Sequence, residues 1–450
     1  MKNQDLLERS RAAVWHPCTQ MRRHETLPLV PISHGRGVWL YDFKGKRYLD
    51  AVSSWWTNLF GHANPDINAA LKDQLDRLAH VMLAGFTHAP VVELSERLSS
   101  RTGGRLGHAF YASDGASATE IALKMSFHSW RNRGETAKIG FVSLKNGYHG
   151  ETVGALSVTD VALFKDTYGP LLRQTVQVPS PDWRLAEAGE GGKAYALRAA
   201  EALEAHLAQH HETTAALILE PLVQGAAGMA MYHPAYLRQA RELCDRYRVH
   251  LIADEIAVGF GRTGSFFACE QAGIWPDLMC LSKGITGGYL PLSAVMATED
   301  IYQAFYDEEV SRGFLHSHSY TGNPLACRAA LTVLNLFERD DVLARTREMA
   351  SLINGLAGEI RALPYVRDFR HTGMIWAFEV ADAPADFSRR LFSEGLKREI
   401  LLRPMGHTVY WMPPYVMTTD DARHMVQATL EALRAVICPE SRDSDSRFRA

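Results

Sequence analysis

From about residue 65 onward the chain alternates short, unbroken apolar runs with longer segments of helical periodicity. The runs are HAFYAS (108–113), KIGFVSL (138–144), AALILE (215–220), HLIADE (250–255) and LMCLS (278–282). A run apolar throughout fits a strand covered on both faces, whereas one wet face would give strict alternation. Between the runs, SATEIALKMSFHSWRNR (117–133) and PAYLRQARELCDRYR (234–248) carry apolar residues at helical spacing. Strands alternating with helices predict an α/β fold with a largely parallel sheet between helical layers. Ahead of this region, RGVWLYDFKGKRYLDAV (36–52) predicts two strands around a turn centred on Lys44–Lys46, with Gly45 supplying the bend. Residues 183–214, rich in Ala, Glu and His, predict a surface helix. Beyond about 330, helices lead to YVRDFRHTGMIWAFEV (365–380), a mixed region of a smaller domain completed by the N-terminal strands. The expected division is 1–64, an N-terminal segment shared by the small domain and a site wall; 65–332, the large domain; and 333–450, a C-terminal small domain. Its polar end, PESRDSDSRFRA, is expected to fray.

Bulk properties narrow the function. A chain of 450 residues can bury a large core and form more than one domain. Lys and Arg number 48 against 51 Asp and Glu, a net charge of −3. That balance argues against a nucleic-acid footprint and leaves small molecules as the expected partners. The opening stretch, MKNQDLLERSRAAVWHP, lacks the apolar core of a signal peptide, and no uncharged run is long enough to span a bilayer. The six cysteines (18, 244, 269, 280, 327 and 438) show no CxxC spacing and read as reduced thiols. A cytoplasmic location is expected, with no membrane partner.

Three polar residues close apolar runs: Glu220, Asp254 and Lys283. In an open α/β sheet, ligands sit beyond the carboxyl ends of the strands. A carboxylate and a lysine in such positions suit pyridoxal 5'-phosphate (PLP), which needs an acid at its ring nitrogen and an amine to hold its aldehyde as an imine. Lys283 is therefore the expected tether and proton carrier, provided burial lowers its pKa. Asp254 is the expected partner of the ring nitrogen; as an alternative it caps a helix or pairs with Arg262. SDGASATE (113–120) fits a phosphate cup, with backbone N–H groups of Gly115 and Ala116 and the Ser117 hydroxyl as donors. An ordinary helix start would read the same way. In NGYHG (146–150), Tyr148 either stacks on the pyridine face or packs a turn, with His149 beside it. Glu220, with Gln224 close by, either serves the site or pairs with an arginine. HSHSYTGNPLAC (316–327) invites a metal reading, but no acid or cysteine stands at ligand spacing, so no metal is expected. Ser319 or Thr321 suits a further phosphate donor.

These segments, together with DE-x-x-x-GFGRTG (254–264), SKGITGG (282–288) and TGNPLAC (321–327), resemble the class III aminotransferases of PLP fold type I. They run in family order from about residue 36 to 330. The resemblance implies a large domain with a mostly parallel, mixed seven-stranded sheet, and a smaller α+β domain from both chain ends. It also implies a homodimer with sites at the interface. There Ser319 would reach the phosphate of the partner's cofactor, with Tyr320 also at the cofactor and Gly322 at the substrate.

Three further segments resemble family members that pass the amine of S-adenosyl-L-methionine to 8-amino-7-oxononanoate in biotin synthesis. They are VWHPCTQM (14–21), SSWWTNLFGH (53–62) and LLRPMGHTVYWMPPY (401–415). On that likeness Trp55 and Trp56 line the substrate cleft, although tryptophans of this kind also pack cores. Arg403 would hold the oxo-acid carboxylate, and Cys18 stands on the substrate wall where tyrosine is common. Glu151 and Ala116 likewise depart from the usual Asp and Ser or Thr. Arg262, shared across the family, either pairs with an acid or helps admit the donor carboxylate. The rival expectations are an ω-amine aminotransferase, a lysine-dependent enzyme of the same reaction, and an aminomutase.

Overall fold

The computed structural model describes residues 3–27 and 29–438; the predicted frayed tail, 439–450, lies outside them. Its central sheet has seven strands: β1 (His108–Ala112), β2 (Gly140–Leu144), β3 (Val176–Val178), β4 (Thr214–Leu219), β5 (His250–Asp254), β6 (Leu278–Leu281) and β7 (Ser293–Ala297). In space they lie in the order β1-β7-β6-β5-β4-β2-β3. Only β7 runs against its neighbours, β6 and β1; the other pairs are parallel. Every residue of β4, β5, β6 and β7 is buried, which is why their sequences show no alternation. Each Leu or Ile so enclosed stabilises the fold by about 1.5–3 kcal/mol relative to exposure.

Two strands lay outside the expected set. The β3 segment VQV is three residues long at the sheet edge, too short to register as a run. The β7 segment SAVMA follows a Gly- and Pro-containing turn that masked its start. The helix Gly115–Asn132 packs on β4, β6 and β7. The helix Gly192–His210 falls in the segment expected at the surface, yet it buries Ala196, Leu203 and Leu207 completely. Its other face is wet, so the polar composition told half of its placement.

The predicted hairpin forms between Trp39–Asp42 and Arg47–Asp50. A strand from each side extends it: Ile32–Arg36 on one edge, and Ile400–Leu401 in parallel with Arg47–Asp50 on the other. Val366–Thr372, Ile375–Val380 and Thr408–Trp411 make a separate antiparallel sheet. Residues near 50 and near 400 thus become neighbours.

Beside Asp254, Glu255 is wholly buried and accepts hydrogen bonds from the Ala268 and Cys269 amides at 2.9 and 2.8 Å. Burial raises its pKa to about 7 despite those bonds. Above the ordinary glutamate range and below 7, the native chain holds a proton that the unfolded chain has released. Glu255 therefore makes stability fall as pH rises through that window, by up to about 1.4 kcal/mol per pH unit. Glu255→Gln is expected to flatten this slope, whatever constant offset it adds. Melting curves of both proteins at pH 5 to 8 test it; parallel pH dependences would remove Glu255 from this role.

Candidate active site

Chain segments leaving the carboxyl ends of β1, β2, β4 and β6 meet at one cavity of about 1160 Å³. Parallel pairing is the cause, because it stacks those ends along one edge of the sheet. Its walls include Cys18, Trp55, Trp56, Gly115, Tyr148, Lys283 and Arg403, so residues spread over most of the chain converge.

Lys283 follows β6 in a left-handed conformation, φ +44°. A non-glycine residue there is strained, and such strain collects at functional sites. Burial pulls its amine below the usual lysine range, which Asp254 and Glu220 offset only in part. The ammonium position lies 4.6 Å from the centre of the Trp56 ring, and no hydrogen-bond acceptor among the described residues takes it.

Asp254, at the end of β5, is buried beneath the wall. One carboxylate oxygen accepts from the Ile256 amide at 3.1 Å, and the other lies 2.7 Å from His149 Nδ1. The remaining His149 nitrogen, Nε2, is buried and has no partner among the described residues. Glu220 accepts from the Tyr148 and Gly225 amides at 3.0 and 2.9 Å, and burial lifts its pKa to about 7. It pairs with no arginine among the described residues. Tyr148 donates its hydroxyl to Glu151 at 2.9 Å and packs edge-on against Phe164. Burial, then Glu151, pushes that phenol well up.

At the start of the helix Gly115–Asn132, Asp114 is the cap. Its carboxylate takes both the amide and the hydroxyl of Ser117, at 2.9 and 3.0 Å, so Ser117 is not the free donor the sequence suggested. The Gly115 and Ala116 amides keep no partner among the described residues and stand at the positive end of the helix. A side chain at position 115 would lie 3.0 Å from Ile256, so the Ile256 side chain would have to give way. Ala116 points its methyl toward Gly150.

Arg403 lies across the cavity, its guanidinium 4.5 Å from the centre of the Trp55 ring. Among the described residues it has no acidic partner. Trp56 is buried and donates its indole N–H to the Tyr410 hydroxyl at 3.2 Å. Tyr410 and Thr408 both face the cavity, two apart on one strand, and the sequence reading passed over them. The period-two pattern of TVYW was the available signal.

Arg262 and Gly322 both lie off the cavity lining. Arg262 does not reach the cavity. It is buried, and its guanidinium donates to the Pro413, Asn58 and Met412 carbonyls at 2.7, 3.2 and 3.4 Å. Among the described residues it forms no ion pair with an acid, and it clamps two cavity-forming segments. Gly322 is buried in a turn with φ +62°, where an added side chain would lie 2.6 Å from Leu83. Ser319 and Tyr320 stand off the cavity, with Tyr320 62% exposed. No group of three or more metal-binding side chains occurs among the described residues.

A profile of the family described as aminotransferase class-III matches residues 20–433. An adenosylmethionine-8-amino-7-oxononanoate aminotransferase of Helicobacter pylori is 46% identical, over 93% of this chain and 95% of that protein. The crystal structure of a protein of the same name from Methanocaldococcus jannaschii superposes with a TM-score of 0.91 at 34% identity, covering 97% of this chain and 100% of that one. An amine transaminase from an uncultivated Pseudomonas species, solved in a PLP-bound form, gives 0.89 at 32% identity over 94% and 99% of the two chains.

Proposed function

Since the chain belongs to the class III aminotransferases, we propose that it uses PLP to move the amine of S-adenosyl-L-methionine onto 8-amino-7-oxononanoate. The product is 7,8-diaminononanoate, for biotin synthesis. One observation carries the substrate assignment: Arg403 is a cavity-wall guanidinium with an indole beneath it and no acid of its own. A guanidinium so placed calls for a carboxylate from the ligand. An apolar chain running from that carboxylate toward Lys283 lies along Trp55 and Trp56, and a sulfonium suits an indole face.

The residues present fit the cofactor. The desolvated Lys283 amine, the open Gly115 and Ala116 amides and the buried Asp254–His149 pair supply a tether, an anion cradle and an acid. When bound, PLP supplies an aldehyde that takes up amines and a cationic ring that withdraws electrons from the adjacent carbon. Lys283, its pKa lowered by burial, would take the proton from the reacting carbon and return it. Asp254 keeps the ring nitrogen protonated, with His149 and the Ile256 amide fixing its carboxylate. Gly115 and Ala116 hold the phosphate by backbone N–H. Tyr148 covers the ring face, its hydroxyl steered by Glu151.

Ser319 and Tyr320 act on the site of a second copy. Their displacement from their own cavity supports this, as do exposed apolar side chains such as Phe86 and Leu315, at 57% and 77%. The working form is then a homodimer. No helix among the described residues is long and apolar enough to cross a membrane, and we place the enzyme in the cytoplasm.

The test is spectroscopic. S-adenosyl-L-methionine alone should bleach the visible absorbance of PLP-loaded protein, and 8-amino-7-oxononanoate should restore it. Bleaching by lysine or putrescine, and none by S-adenosyl-L-methionine, would reassign the donor. Arg403→Ala should raise the KM for the oxo acid roughly 10- to 150-fold, the equivalent of a lost charged hydrogen bond. The donor KM should move far less, and equal weakening of both would remove Arg403 from the role.

A further inference from the structure

The tandem tryptophans sit on an unusual backbone. Ser53, Ser54, Trp55 and Trp56 have φ of +49°, +46°, +72° and +72°, one complete left-handed turn made of L-residues. None is glycine, and each is disfavoured there by the clash of its own Cβ. Such a turn persists only where its surroundings over-determine it. It also delivers what the cavity needs from adjacent residues: Trp55 under Arg403, and Trp56 against Lys283.

Asp50 is the main restraint. It is wholly buried four residues before Ser54, at the end of the strand Arg47–Asp50. Its Oδ1 accepts from the Ser54 amide at 2.9 Å. Its Oδ2 lies 2.7 Å from the Ser54 hydroxyl and 3.0 Å from His62 Nε2. Among the described residues no lysine or arginine forms an ion pair with it, and all three partners serve the turn or brace the carboxyl group. Two outer ties close the frame. Ser53 donates its hydroxyl to the Met412 carbonyl at 2.7 Å, and Arg262 donates to Asn58 just past the turn.

We infer that Asp50, braced by His62, is a positioning residue that holds the Ser53–Trp56 turn left-handed and so sets the oxo-acid pocket. The inference deepens the proposed function and rests on it. Asp50 touches neither substrate nor cofactor, and acts through the two indoles.

Asp50→Asn tests it in PLP-loaded enzyme. An amide offers one acceptor oxygen where three donors converge, so the turn loses a tie. The expected result is a KM for 8-amino-7-oxononanoate raised about tenfold, the scale of a wall displaced by a fraction of an ångström. Turnover at saturation and the borohydride-fixed cofactor at Lys283 should stay near wild type. Adding Ser54→Gly should recover most of the KM, because glycine takes positive φ without strain. An unchanged KM, or a loss that Ser54→Gly leaves in place, overturns the inference. If Asp50→Asn yields no soluble enzyme, the exposed Ser54→Ala removes one tie and should raise the KM about threefold; no rise overturns the inference equally. Wild-type turnover of this acceptor tests the proposed function, and only the variant-to-wild-type ratio tests the role of Asp50.

Discussion

Lys283→Ala is expected to lower turnover by at least about 10⁴-fold, the upper range for one acid–base group, because it removes the covalent tether as well. Borohydride should then fix no cofactor to the chain, and PLP added to the variant should lack the visible band of the wild type. The reasoning begins with the lysine's surroundings. Its amine is desolvated, lies over Trp56 and is offset only in part by Asp254 and Glu220, so a neutral nucleophile is attainable near neutral pH. Lys283→Arg separates charge from chemistry. It can still set a cation against the indole, but a guanidinium does not give up its proton, so this variant should be equally inactive. Circular dichroism and melting temperature report whether the strained residue at φ +44° has been lost along with the function. Turnover above about a hundredth of wild type in either variant would contradict both assigned roles.

Asp254→Asn carries the second large effect. The change preserves shape, and the amide oxygen can still take the Ile256 N–H. What disappears is a buried negative charge, which on the proposed role stands beside the ring nitrogen, in a setting where charges interact strongly. Loss of one preorganised electrostatic group lowers kcat by about 10²–10³-fold, and a loss of that size is expected here. Because His149 Nδ1 lies 2.7 Å from the same carboxylate, the asparagine amide also competes with that ring for orientation. His149→Asn should therefore give a smaller decrease in the same parameter. If Asp254→Asn kept kcat within about fivefold of wild type, the ring nitrogen would have to be served by another group.

Much of this site follows from local order. Unbroken apolar runs place β1, β2, β4, β5 and β6, and the polar residue ending a run marks the sheet edge where ligands bind. Glu220, Asp254 and Lys283 could be found in that way because each needs only its own strand and the parallel pairing. Gly115 and Tyr148 follow similarly, as parts of loops whose strands were visible. Edge strand β3 was not, since three residues carry too little pattern.

Other features depend on partners hundreds of positions away, which periodicity cannot reach. Arg262 reads either as the partner of an acid or as an arginine for the donor carboxylate; Asn58, Met412 and Pro413 bring their carbonyls against its guanidinium. Trp56 meets Tyr410, and Ser53 meets Met412, only because strands from the two chain ends assemble. The sequence by itself determined the sheet, its chemical edge and the residue types stationed along it, since these follow from short-range pattern and the rules of parallel pairing. Tertiary structure alone decided that Arg262 is held by backbone carbonyls and that the tandem tryptophans ride a left-handed turn. A strained backbone and a side chain's exposure are both outcomes of packing between segments that no local pattern connects.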